Sequence, residues 1–139
     1  MRFGNLNYVA ILAAAAVAWL AGAAWYRAFG RVWTAAMGMT QEEVQAAQHQ
    51  RGAYLPAIVA FVAELVMAWT LAGILFHVGP ITVRSGIIAG ALCWFGFVLT
   101  TMLVNNSFER RDRRLILIDA GHWLLVFLLM GAVLGALRS

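Results

Sequence analysis

"YLPAIVAFVAELVMAWTLAGILFHV", residues 54–78, is apolar almost throughout and holds one acid, Glu64, in its interior. A helix needs ~20 apolar residues to cross a hydrocarbon layer ~30 Å thick, and this run is long enough. Three more runs, 7–28, 85–106 and 115–137, have the same character. None alternates between apolar and polar residues, and lipid offers the backbone no hydrogen-bond partner, so helices are expected rather than strands. The expected fold class is an all-α integral membrane protein, a four-transmembrane-helix bundle forming a single membrane domain over 1–139.

Composition points the same way. Of 139 residues, 63% are hydrophobic and 12% charged, whereas soluble domains carry roughly 25% charged residues. Too few polar residues are present to cover a water-soluble core. All the basic residues are Arg, and the net charge is +4. They stand at the ends of apolar runs rather than on one face, which marks topology signals and argues against nucleic acid as a partner. Cys93 is the single cysteine, so an internal disulfide and a thiolate-built metal site are both excluded.

Arg27, Arg31, Arg51, Arg110, Arg111, Arg113 and Arg114 fall in the first and third connections, against Arg2, Arg84 and Arg138 at the termini and in the second. The positive-inside bias then puts the Arg-rich connections in the cytoplasm and both termini outside. The same arginines argue that the first run is a retained helix, although Ala21, Gly22 and Ala23 fit a leader cleavage pattern. In the first connection, Thr40, Gln41, Glu42 and Glu43 read as a capping box. A short cytoplasmic amphipathic helix is expected from Gln41 to Arg51, stopped at Gly52.

Small residues recur at four-residue spacing in three spans: Ala14, Ala18 and Gly22; Gly86 and Gly90; Gly131 and Gly135. Such ridges let helices approach closely, and close contact replaces water-driven burial as the source of association in lipid. Trp25, Tyr26 and Trp33 sit at the end of span one, where an interfacial aromatic belt is expected.

Glu64 lies about ten residues past Tyr54, hence ~15 Å along a helix and near the bilayer midplane. Inserting it charged costs ~2.5–3.5 kcal/mol, and protonating it at neutral pH costs about as much. Its surroundings therefore decide its state, and it needs a partner or a polar cavity. Asp119 and His122 are three apart and share a face of span four, while Asn105 and Asn106 close span three at a similar level. If spans two, three and four adjoin, Glu64, Asn105, Asn106, Asp119 and His122 converge on one cavity open to the cytoplasm. A carboxylate beside an imidazole can exchange a proton, and the amides can bind a small polar ligand. The plainer reading is that Asp119 pairs with Arg113 or Arg114 and that His122 bonds to a facing helix. Two ligands from one helix fall short of a metal site. There is no nucleophile with its base, no phosphate loop and no nucleotide motif, so no catalytic residue, cofactor or metal is assigned.

The motifs "GAAWYRAFGRVW" at 22–33, "CWFGFVLTTMLVNNSFERR" at 93–111 and "LIDAGHWLLVFLLMGAVLG" at 117–135 cover most of the chain. In them the chain resembles the small bacterial four-span membrane proteins grouped as domain of unknown function 1761. The matching residues are Trp25, Tyr26, Phe29, Gly30, Trp33, Asn105, Phe108, Glu109, Arg110 and Gly121. The resemblance implies a four-helix protein of a bacterial inner (plasma) membrane and carries no activity with it. It also implies Asn and Tyr where this chain has Asp119 and His122, and no acid at position 64.

The leading expectation is a homo-oligomeric bundle, bathed in membrane lipid, that handles a small solute, ion or proton through the polar cluster. One alternative is a structural or regulatory subunit gripping lipid or a partner protein through Arg110, Arg111, Arg113 and Arg114. Another is a membrane enzyme acting on a lipid-like substrate, with Asp119 and His122 as acid and base. The orientation is open to direct measurement. Reporters fused to either terminus should be active only on the outer side of the membrane, and a reporter between Gln41 and Arg51 only on the cytoplasmic side; the reverse pattern removes the positive-inside assignment.

Overall fold

The computed structural model describes residues 6–137; Arg2 and Arg138, counted above for orientation, lie outside the described residues. Four helices are long and apolar enough to cross a membrane: Tyr8–Ala36, Leu55–Val78, Val83–Glu109 and Arg113–Ala136. The chain is therefore read as a multi-pass, all-helical membrane protein, with no strand among the described residues.

Helix α1, Tyr8–Ala36, starts where the Asn7 side chain accepts from the Ala10 amide at 3.1 Å. It runs eight residues beyond the expected end at 28, because neither Arg27 nor Gly30 breaks it, and stops before Gly38 at a φ of +75°. The first connection is correspondingly short. Within it, α2, Gln41–Gln48, forms behind the expected capping box: the Thr40 amide donates to Glu43 Oε2 at 2.7 Å and the Glu43 amide to Thr40 Oγ1 at 3.2 Å. It ends at Gln48 rather than Arg51, in a turn through Gly52 at a φ of +84°. Helix α3, Leu55–Val78, begins with Pro56 in its first turn, where the missing N–H has no partner to lose.

The third span is not one regular helix. Helix α4, Val83–Cys93, passes into a π-helical segment, Trp94–Leu99, and then into α5, Thr100–Glu109. The sequence reading gives a continuous helix here; the observed widening leaves side chains to share the carbonyls of the segment. Thr100 donates to Gly96 at 2.8 Å and Thr101 to Phe97 at 2.5 Å. Arg110 closes α5 in the left-handed region, and Asp112 caps α6, Arg113–Ala136, by accepting from the Arg114 amide at 2.8 Å. The Arg114 guanidinium, 2.9 Å away, holds the partly exposed Asp112 carboxyl below the usual carboxylate range.

Helix α6 is the centre of the bundle, packed between α1 and α4, with α3 lying mainly against α1. The α4–α6 seam is backbone against backbone. A Cβ placed on Gly86 would collide with the Gly131 carbonyl, one on Gly90 with the Phe127 carbonyl, and one on Gly135 with the Thr82 carbonyl. The small-residue ridges of spans three and four thus meet each other inside one chain. On the other side, Ala10, Ala14, Ala15 and Ala18 of α1 join Leu71, Ala72 and Leu75 of α3 and Val126, Met130 and Leu134 of α6 in one core. The outer surface is lipid-like: Val9, Val59, Leu92, Phe95, Phe97 and Leu117 are all exposed.

Glycines inside and outside the seam should respond oppositely to an added side chain. Gly131→Val should destabilise the purified protein by an amount at or above the upper end of the ~1–3 kcal/mol typical of overpacking. Gly30→Ala, where a Cβ meets nothing within 4 Å, should be neutral or stabilise by up to ~1 kcal/mol, since Gly weakens a helix interior. Denaturant unfolding in detergent reads both, and equal effects at the two positions would rule out the seam.

Candidate functional site

The spacing of Ala57, Ala60, Glu64, Ala68, Leu71 and Leu75 puts one face of α3 toward α1 and α6. Glu64 is carried into the bundle with it and is 1% exposed. Its Oε2 is buried and has no hydrogen-bond partner among the described residues. His122 of α6 is 7% exposed, and its Nδ1 is likewise buried without a partner. Both side chains line one cavity of about 300 Å3, walled by Trp19, Gly22, Ala23 and Tyr26 of α1, Ala57 and Ala60 of α3, and Trp123 of α6.

Gly22 makes room for the imidazole: a Cβ there would stand 2.6 Å from His122 Nε2. The ring packs against two aromatics, with centroids 4.8 Å from Tyr26 and 4.8 Å from Trp123.

Asp119, one turn from His122 toward the Arg-rich end, has the opposite hydrogen-bond status. Its Oδ1 accepts from the Tyr26 hydroxyl at 2.6 Å and from Trp33 Nε1 at 2.9 Å, and its Oδ2 stands 3.8 Å from Arg111 Nη1. Arg111 also donates to Asn106 Oδ1 at 3.4 Å and lies 3.9 Å from Glu109. Asn106 is itself anchored by donating to the Met102 carbonyl at 2.6 Å. A second cavity of about 410 Å3 lies here, lined by Asn105, Asn106, Glu109, Arg111 and Asp119, and it shares Tyr26, Trp33 and Trp123 with the surrounding wall. Tyr26 and Trp123 line both cavities and stand between them.

The residues singled out in the sequence are therefore divided. Glu64 and His122 meet in the deeper cavity, while Asp119, Asn105 and Asn106 belong to the shallower one. The Arg cluster divides too. Arg111 turns inward to Asp119, in place of the Arg113 or Arg114 pairing considered above, Arg114 pairs with Asp112, and Arg110 forms the α5 cap. Span one supplies the missing wall. Trp25, Tyr26 and Trp33 do not form an outward belt: Trp25 Nε1 donates to the Ile118 carbonyl at 3.1 Å, and the other two bind Asp119. Their signal was present as Gly22, Tyr26 and Trp33 on one helical face. A larger concavity, about 930 Å3 beside α2, is lined by residues such as Thr34, Val44, Gln48 and Arg51 and holds no buried ionisable group among the described residues. Volume and chemistry do not coincide in this protein. Among the described residues no three His, Cys, Asp or Glu side chains assemble into a metal-holding group.

A family model described as "Protein of unknown function (DUF1761)" matches residues 9–135. No curated protein and no solved structure matches the chain.

The Tyr26–Asp119 bond can be weighed alone. Tyr26→Phe should cost ~1.5–3 kcal/mol, the range for a hydrogen bond to a charged group. In an Asp119→Ala background the same change should cost far less. Identical losses in both backgrounds, measured by denaturant unfolding, would show that the two side chains are not coupled.

Proposed function

The chain belongs to the DUF1761 family, and from that premise we propose that it is a membrane protein which exchanges protons, and a small solute or ion with them, at the cavity between Glu64 and His122. One observation carries this reading: two buried ionisable side chains from different helices face the same cavity, each with a polar atom left unpaired. An unsatisfied buried polar atom costs ~1–3 kcal/mol. Two at one place support the reading of a site whose partner comes and goes.

The second cavity supplies a route. Tyr26 lines the deep cavity and donates to Asp119, which is linked through Arg111 and Asn106 to the Arg-rich end. A hydroxyl can accept a proton on one side while donating on the other, so Tyr26 is the natural relay between the two compartments. The positive-inside bias makes the Arg-rich end the cytoplasmic one, in a bacterial inner membrane. The walls of the site all come from one chain, and a second copy packed on the exposed face of α4 and α5 would leave the cavity intact. A lipid-gripping role for the whole Arg cluster is less well supported, because Arg111 is engaged inside the protein and Arg114 with Asp112.

Proteoliposomes enclosing a pH-sensitive dye, with the membrane potential clamped, test the proposal. The wild-type chain should dissipate an imposed pH gradient faster than protein-free vesicles, and Glu64→Gln should slow that rate by about tenfold or more, since a carboxamide carries no exchangeable acid proton. Tyr26→Phe should slow it less. A wild-type rate equal to that of empty vesicles, or an unaltered Glu64→Gln rate, overturns the proposal.

A further inference from the structure

We propose that the Glu64–His122 cavity binds a small organic ammonium ion, a quaternary or protonated amine, between its carboxyl group and its aromatic walls. This inference rests on the reading of that cavity as the working centre and names the class of ligand it takes. The lining decides the class. Among the described residues Glu64 is the only acid in it, and three aromatic residues, Trp19, Tyr26 and Trp123, line the space. Two of these have their polar atoms committed elsewhere: Trp19 Nε1 donates to the Ala57 carbonyl at 3.0 Å and the Tyr26 hydroxyl to Asp119. What they offer a ligand is therefore apolar ring surface, which attracts a cation through its quadrupole and satisfies its alkyl groups at the same time.

Other ligand classes fit less well. An anion would face Glu64. A sugar or polyol would bury hydroxyls against Gly22, Ala23, Ala57 and Ala60, which have no side-chain hydrogen-bonding group. A bare metal cation needs several oxygen ligands, and one carboxyl group does not supply them. The volume, about 300 Å3, is at the small end of the roughly 300–1,000 Å3 found for ligand pockets. Entry is provided for as well, because Ala23 of α1 and Ala57 of α3 are exposed and their small side chains leave a gap between the two helices.

Calorimetric titration of the full chain in detergent tests this, using choline, its uncharged isostere 3,3-dimethylbutan-1-ol, and potassium as probes. Choline should bind at least about tenfold more tightly than either of the others, the preference a carboxylate with an aromatic cage gives to an alkylammonium. Glu64→Gln should lose about tenfold or more in choline affinity, and Trp123→Leu a smaller factor, while Glu64→Gln leaves the weak binding of the isostere unaltered. Should Glu64→Gln fail to fold, a pH series on the wild-type chain serves instead. The titratable groups facing Glu64 across the cavity are Tyr26 of α1 and His122 of α6. Choline affinity should fall by up to about tenfold per pH unit once the carboxylate is being protonated, with the isostere unaffected. Absence of choline binding, equal binding of choline and isostere, potassium binding as tight as choline, or a choline affinity indifferent to both Glu64→Gln and pH each overturns the inference. Proton flux without choline binding refutes the ligand class and leaves the proton-exchange reading standing; choline binding without flux does the reverse.

Discussion

Everything in this bundle depends on the backbone contact between α4 and α6. Lipid tails are as apolar as the helix surfaces, so burial against water cannot hold the spans together, and close packing must. Gly86, Gly90, Gly131 and Gly135 allow that packing, each leaving the neighbouring backbone where a side chain would otherwise stand. The contact also sets rotation. His122 and Gly131 are about two and a half turns apart and thus on opposite sides of α6. Docking the glycine side on α4 commits the imidazole to the side of α1 and α3, where Gly22 and Glu64 receive it.

The tryptophans refine what the glycines begin. An indole N–H inside a membrane needs an acceptor, and a helical carbonyl still has a second lone pair to offer. Trp25 donates to the Ile118 carbonyl from α1, and Trp94 donates to the Ala120 carbonyl from the third span at 2.9 Å. The two residues flanking Asp119 are therefore held from opposite sides. Trp94 opens the π-helical segment, whose wider turn distinguishes the third span from a regular helix. Irregularity in the third span and positioning of Asp119 in the fourth are in this way connected through one indole.

Much of the architecture was legible in the residues. Four apolar runs, the capping box at Thr40 and the glycine ridges depend on local pattern, and pattern is read directly from a chain. Glu64 stood out because depth follows from counting residues along a helix. What could not be read was adjacency. Periodicity tells which residues share a face but not which helix that face meets, and for this reason the sequence suggests an interfacial belt for the aromatic cluster of span one. Asp119 draws Tyr26 and Trp33 inward, because a carboxylate in a bundle gains more from two donors than the rings gain from headgroups. The same attraction takes Arg111 away from its basic neighbours. Nor did any residue pattern announce the π segment, since Trp94–Leu99 is as apolar as the rest of its span.

The two membrane carboxyl groups invite comparison, because they share a fold and differ in treatment. Asp119 receives a phenol, an indole and a guanidinium; Glu64 receives none of these and keeps a buried oxygen unpaired. A carboxyl retained for architecture is expected to be saturated with donors, since each unmet acceptor weakens the fold that holds it. The contrast cannot be explained by exposure to lipid or water, as Glu64 is the more buried of the two. Nor does the bundle lack donors nearby, for Tyr26 lines the same cavity and turns its hydroxyl to Asp119 instead. Satisfying Asp119 engages the Tyr26 hydroxyl, and the buried Glu64 oxygen beside the same cavity receives no donor from it. The two carboxyl groups are thus treated unequally because one donor, Tyr26, is committed to Asp119.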